Sequence, residues 1–197
     1  MKTTRLIVVL ALVLGLSLPA MAAAPQWSFD PPHCQVIFTI KHVFAPVMGQ
    51  FHKFDGKINF SPDDLAGSKV DMTIQVASID TGVAARDKHL KSADFFDVAK
   101  YPMIRFVSDS FTKRGDNEYV VKGRLTMKDV TRPVEIVFTY LGAKPNPMNQ
   151  DQMLTGFRGG FAIERLDYHV GSGKYYQMGV VGNKVDLYIH LELVRGK

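Results

Sequence analysis

Residues 34–42 read CQVIFTIKH, and their period decides between helix and strand. In an extended chain Cys34, Val36, Phe38, Ile40 and His42 share one face, while Gln35, Ile37, Thr39 and Lys41 share the other. Successive side chains of a strand point to opposite sides, so the alternation predicts a half-buried strand. The period recurs along the chain. Val70, Met72, Ile74 and Val76 share a face, as do Tyr119, Val121, Gly123 and Leu125. Val134, Ile136, Phe138 and Tyr140 form another such row, and Val185, Leu187, Ile189, Leu191 and Leu193 a longer one.

Further strands are expected at 49–60, 104–111 and 154–163, separated by Gly, Pro, Asn and Asp. At least eight strands, each with one polar face, predict an all-β antiparallel sandwich or barrel. Gly49, Gly56, Gly123, Gly156, Gly159 and Gly160 fall inside strand patterns. Glycine there permits the sharp bends that closure requires, which favours the barrel. One segment departs from the period: TGVAARDKHLKSADFFD, residues 81–97, is rich in helix formers and can be capped by Asp80 or Thr81. It is expected to cross one barrel end, with Phe95 and Phe96 seated on the apolar interior. Residues 142–153, with Pro145 and Pro147, read as a long exposed loop.

Residues 1–22 read as a cleaved secretory signal. Lys2 and Arg5 precede an apolar run over 6–18, and Ala20-Met21-Ala22 offers the cleavage site. The run is shorter than the roughly 20 residues of a spanning helix. The expected domain is therefore 23–197, exported to a periplasm, about 175 residues and enough for one substantial core. The net charge of +5 includes Lys2 and Arg5, and the remaining basic residues are scattered among 19 acids. Nucleic-acid binding needs a concentrated basic face, and none is present. Cys34 is the single cysteine, so no intrachain disulfide can form, and its place in a strand favours burial.

Arg86, Asp87 and His89 invite a catalytic reading. On a helix, however, residues two apart diverge, so Asp87 cannot orient His89. Arg86 would face His89 and Leu90, and Asp87 could pair with Lys91. Ser92 can approach His89, yet no third carboxylate is supplied locally to complete a nucleophile. No catalytic residue is assigned. The six histidines, His33, His42, His52, His89, His169 and His190, lack the local spacing that gathers metal ligands, so neither a metal nor another cofactor is expected. The chain is rich in Phe (13), Tyr (7) and Met (9). Such residues usually form plain core, but an eight-stranded barrel can also hold one small apolar guest.

Three blocks, HCQVIFTIKHVFAPVMGQFHKFDGKI, ASIDTGVAARDKHLKSADFFDVAKYPMIRFVS and GRLTMKDVTRPVEI, resemble the YceI family of secreted lipocalin-like proteins, and the resemblance extends over 27–193. It implies an eight-stranded antiparallel lipocalin-like β-barrel with a tunnel for a polyisoprenoid, an isoprenoid quinone or a fatty-chain lipid, and no enzyme activity. Lumen positions expected on this basis are Val36, Phe38, Ile40, Phe51, Met72, Ile74, Phe106, Leu125, Ile136 and Phe138. His42, Arg86, His89 and Arg165 are expected at a polar mouth. Transient membrane contact and a homodimer are further expectations. The alternatives are a stress-response interaction protein with incidental lipid, a metal- or haem-binding module, and a lipid-modifying enzyme using Arg86 and His89. Three departures stand out: Cys34 replaces a serine, Asp129 takes a turn glycine's place, and His169 stands where the family has glycine. Asp129 is expected to tolerate the left-handed turn conformation.

Overall fold

The computed structural model describes residues 23–197, so the segment read as a signal lies outside the described residues. β1 (Gln26–Phe29) and β2 (Gln35–His42) are the halves of one bent strand, broken by a 3-10 turn at Pro31–His33. β3 (Ala45–Phe51) and β4 (Phe54–Asn59) are the halves of the next, β2 pairing with β3 and β1 with β4. β5 (Lys69–Gln75) pairs with β4, and the short β6 (Ile79–Asp80) continues its course alongside β3. The chain then crosses one barrel end through α1 (Ala84–Lys91). It meanders through β7 (Met103–Gly115), β8 (Glu118–Met127), β9 (Val130–Asn146) and β10 (Asn149–Glu164). A short α2 (Lys174–Gln177) leads into β11 (Val181–Gly196), which pairs with β10 on one side and with both β1 and β2 on the other. Every pairing is antiparallel. With each bent pair counted as one strand, eight strands close into a barrel, the expected architecture.

The bends have local causes. Pro31 and Pro32 cannot donate to a ladder, so the first strand must break there. The seam nevertheless stays closed: Asp30 N and the Cys34 thiol both donate to the Glu192 carbonyl, at 3.1 Å each. At the second break, His52 N and Lys53 N bond to the Ser78 carbonyl and hydroxyl. Gly123 marks a close approach, because a β-carbon there would run into the Val107 carbonyl and the Phe106 ring.

The interior has two storeys. One buried cluster holds Val36, Phe38, Phe51, Met72, Ile104, Leu125 and Met127 beneath the crossover. The other gathers Trp27, Cys34, Phe111, Tyr119, Phe138 and Phe157 around Phe60 at the far end. Phe60 touches five aromatic rings at centroid distances of 5.2–5.9 Å, mostly edge-to-face or tilted. These rings form a solid floor.

Four expectations are corrected. Residues 142–153 are not a loop: they are the ends of β9 and β10, joined by a tight turn. Asn146, Asn149 and Gln152 side chains close that tip, and Thr155 Oγ1 donates to the Gly142 carbonyl where the register slips. Neither Asp80 nor Thr81 caps α1, whose first residue follows Val83 with no side-chain cap. Asp87 does not reach Lys91; its Oδ1 instead accepts from Thr81 N (3.0 Å) and Thr81 Oγ1 (2.6 Å). In the β8–β9 turn it is Lys128, not Asp129, that is left-handed, with φ +54°. Asp129 uses its carboxylate to meet His169 Nδ1 at 3.1 Å, while His169 itself takes the left-handed position, with φ +55°.

Candidate functional site

Between the aromatic floor and the crossover the barrel encloses a cavity of about 500 Å³. That lies within the range of small-molecule sites. Its wall is almost wholly hydrocarbon and aromatic, because the inward face of each alternating strand supplies the apolar set. Val36, Phe38, Ile40, Phe51, Met72, Ile74, Phe106, Leu125 and Ile136 all lie on it. Phe138 does not. It stacks on Tyr119 in the floor, at 5.6 Å between centroids, because the lumen ends at the level of Ile136.

His42, Arg86, His89 and Arg165 also line the cavity, at its crossover end. Each is held differently. Arg86 grips the residue that opens the crossover, Nε donating to Thr81 Oγ1 and Nη2 to the Thr81 carbonyl, both at 2.7 Å. His89 turns its ring edge-on to Phe95 at 5.0 Å and, against expectation, finds a local carboxylate: Asp94, just past the end of α1 and exposed, meets its Nε2 at 3.1 Å. The Ser92 hydroxyl donates to the backbone carbonyl of His89, not to its ring. His42 stands at the tip of β2, opposite Val181.

Arg165 is only 4% exposed. Its Nε donates to the Gly182 carbonyl and its Nη1 to the Val170 carbonyl, at 2.8 and 2.7 Å, while Nη2 has no partner. Burial depresses its affinity for the proton, and the guanidinium lies 5.9 Å from the Phe95 ring centre. Gly171 makes room for it, since a β-carbon there would strike Nη1.

Several wall residues escaped sequence reasoning. Tyr175 stacks against Phe95 at 6.0 Å, and Val170 and Val180 complete the mouth. They lie in a stretch with no strand period. Phe95 and Phe96 do sit on the lumen as expected, Phe96 edge-on to Phe51. Away from the cavity, Asp30, His33 and Glu192 bring three potential ligand atoms within 4.8 Å of one another at the seam. There His33 Nδ1 meets Asp30 Oδ2 at 2.7 Å, and that hydrogen bond, with the carboxylate charge, raises the imidazole's proton affinity.

Comparison with known proteins agrees with this architecture. The model of the YceI-like domain family matches residues 27–193. Protein YceI of Escherichia coli O157:H7 is 36% identical over 90% of this chain and 90% of its own length. The crystal structure of Burkholderia cenocepacia BcnA superposes with a TM-score of 0.74 at 30% identity, covering 85% of this chain and 99% of that one. A polyisoprenoid binding domain from Saccharophagus degradans shares the fold at 13% identity and TM-score 0.63, covering 89% of this chain and all of its own. The lumen, the crossover and the matched span together make this chain a member of the YceI-like family.

Proposed function

We propose that the protein binds a polyisoprenoid or fatty-chain lipid in its lumen and carries it through a periplasm. The apolar cavity carries this reading: it is closed below by aromatic rings and ringed above by His42, Arg86, His89 and Arg165. Each buried CH₂ contributes about 0.8 kcal/mol, so one five-carbon unit gains roughly 4 kcal/mol before ordering costs. An isoprenoid quinone is one ligand of this kind. The structural neighbour described as a polyisoprenoid binding domain supports the ligand class. The signal-like residues 1–22 support the compartment.

The polar ring suits a headgroup more than a reaction. Asp94 does orient His89, but no nucleophile meets that imidazole: the nearby Ser92 hydroxyl donates to the His89 backbone carbonyl, and Asp87 is engaged by Thr81. Arg165 places a buried positive charge beside the lumen with one donor to spare, which favours a headgroup oxygen, above all an anionic one.

Titrating lipid-stripped protein with a fluorescent long-chain fatty acid tests both points. Saturable uptake at one site is expected, weakened at least tenfold by Leu125→Trp or by Ile40→Trp nearer the mouth, whichever variant retains a native circular-dichroism spectrum. Arg165→Met is expected to erase the preference for a carboxylate-headed over an alcohol-headed chain. Uptake unaffected by both lumen-filling variants would place the ligand outside the barrel.

A further inference from the structure

The mouth carries apolar surface that the barrel itself does not use. Phe44, in the turn between β2 and β3, is 99% exposed, and Val43 beside it is left-handed, with φ +48°. Val43 and Phe44 form a two-residue hairpin turn, a type that takes positive φ, so the tight turn holds Phe44 out at its tip. The tip is sewn to the start of β11, Val43 N donating to the Val180 carbonyl at 3.0 Å. Phe44 and Tyr176 share one outer groove, and Tyr176 and Met178 are themselves exposed. On the crossover side, Met48 and Val83 stand exposed where Thr81 packs on Gly49.

This apolar rim is continuous with the cavity opening. His42 and Val47 flank the Phe44 tip in sequence, Tyr175 and Val180 flank Tyr176 and Met178, and all four line the lumen. Exposed lysines occupy the same segments: Lys41 on β2, Lys88 on α1 and Lys174 on α2. Among the described residues, the lysine ion pairs are those of Lys122 and Lys184, so these three lysines form none, although Lys41 shares its groove with Glu164 and the Lys184–Asp186 pair. An apolar tip flanked by three unpaired lysines matches the headgroup boundary of an anionic bilayer.

We propose that the protein docks mouth-down on an anionic lipid bilayer, with Phe44 inserted as the leading wedge and Tyr176 and Met178 beside it. The lumen then opens into lipid instead of water, so an apolar chain can enter or leave without crossing solvent. This rests on the lipid-carrier reading but concerns a different surface.

The test is co-sedimentation with phosphatidylglycerol–phosphatidylethanolamine vesicles, compared with phosphatidylcholine vesicles. Uptake of a soluble fluorescent fatty acid is measured in parallel. Wild-type protein is expected to pellet with the anionic vesicles, and less so as salt is raised. Phe44→Ser is expected to weaken that partition about tenfold or more, Met178→Ser to weaken it further, and both to leave fatty-acid uptake unchanged. Wild-type protein that ignores vesicles, or binds them equally well as Phe44→Ser, would overturn the proposal. So would a dimer that Phe44→Ser dissociates in the absence of vesicle binding, which would assign the rim to a second copy. Vesicle binding without fatty-acid uptake would leave the docking surface standing and remove the carrier reading.

Discussion

Cys34 illustrates how one residue can be read from its neighbours. Its place at the head of a strand pattern implied burial, and it is buried, its thiol donating to the Glu192 carbonyl at 3.1 Å. Burial is the main reason its thiol holds its proton more tightly than usual. A proton held more tightly in the folded state stabilises fully below the ordinary thiol value of about 8.5, and that contribution is lost as pH rises through the raised folded value. Wild-type stability, measured by urea unfolding, is therefore expected to fall more steeply above pH 8.5 than that of Cys34→Ala. Equal slopes would mean that the thiol is not held in its neutral form by the fold. Arg165 is a contrasting case. Its identity in the sequence marks a charge, but nothing in its spacing shows that two carbonyls and the space left by Gly171 bury it beside the lumen.

At the level of elements, the crossover is secured by contacts that helical spacing does not encode. α1 has no side-chain cap, and residues 81–97 are tied down by Thr81, which Asp87 and Arg86 both hold from within the helix. Losing hydrogen bonds from such a half-buried network costs about 1 kcal/mol. Asp87→Ala is therefore expected to speed hydrogen exchange over residues 84–91 and to accelerate ligand release, while exchange in β8 and β9 stays unchanged. If release is unaltered although α1 exchanges faster, the crossover does not control ligand release. The strands themselves were legible because a period of two needs only near neighbours. The breaks at Pro31–His33 and at 52–53 were less so, since they answer to barrel curvature and to a partner turn at Ser78. Residues 142–153 misled for the opposite reason: Pro and Asn dense enough for a loop instead close a long hairpin, whose β10 arm also pairs with β11 from residue 152 onward.

Across the whole molecule, periodicity reveals which residues face inward but not how deep the lumen runs. Nine of the ten expected lumen residues share the cavity wall, and Phe138 falls outside it because Phe60 and its ring of aromatics fill the lower barrel. Depth is a property of that packing. Phe60→Ala is expected to destabilise the fold by about 3–5 kcal/mol and, in the fraction that remains folded, to shift preference toward longer chains. Competition among fatty acids of increasing length would show the shift, and an unchanged length preference would mean that the floor does not set the limit. The carrier reading is tested most directly by native mass spectrometry of the protein, purified without detergent and then exposed to vesicles containing a polyprenyl lipid. One long-chain amphiphile per protein is expected, lost on organic extraction and identified in the extract. Protein that stays at its bare mass both before and after that exposure would contradict the account.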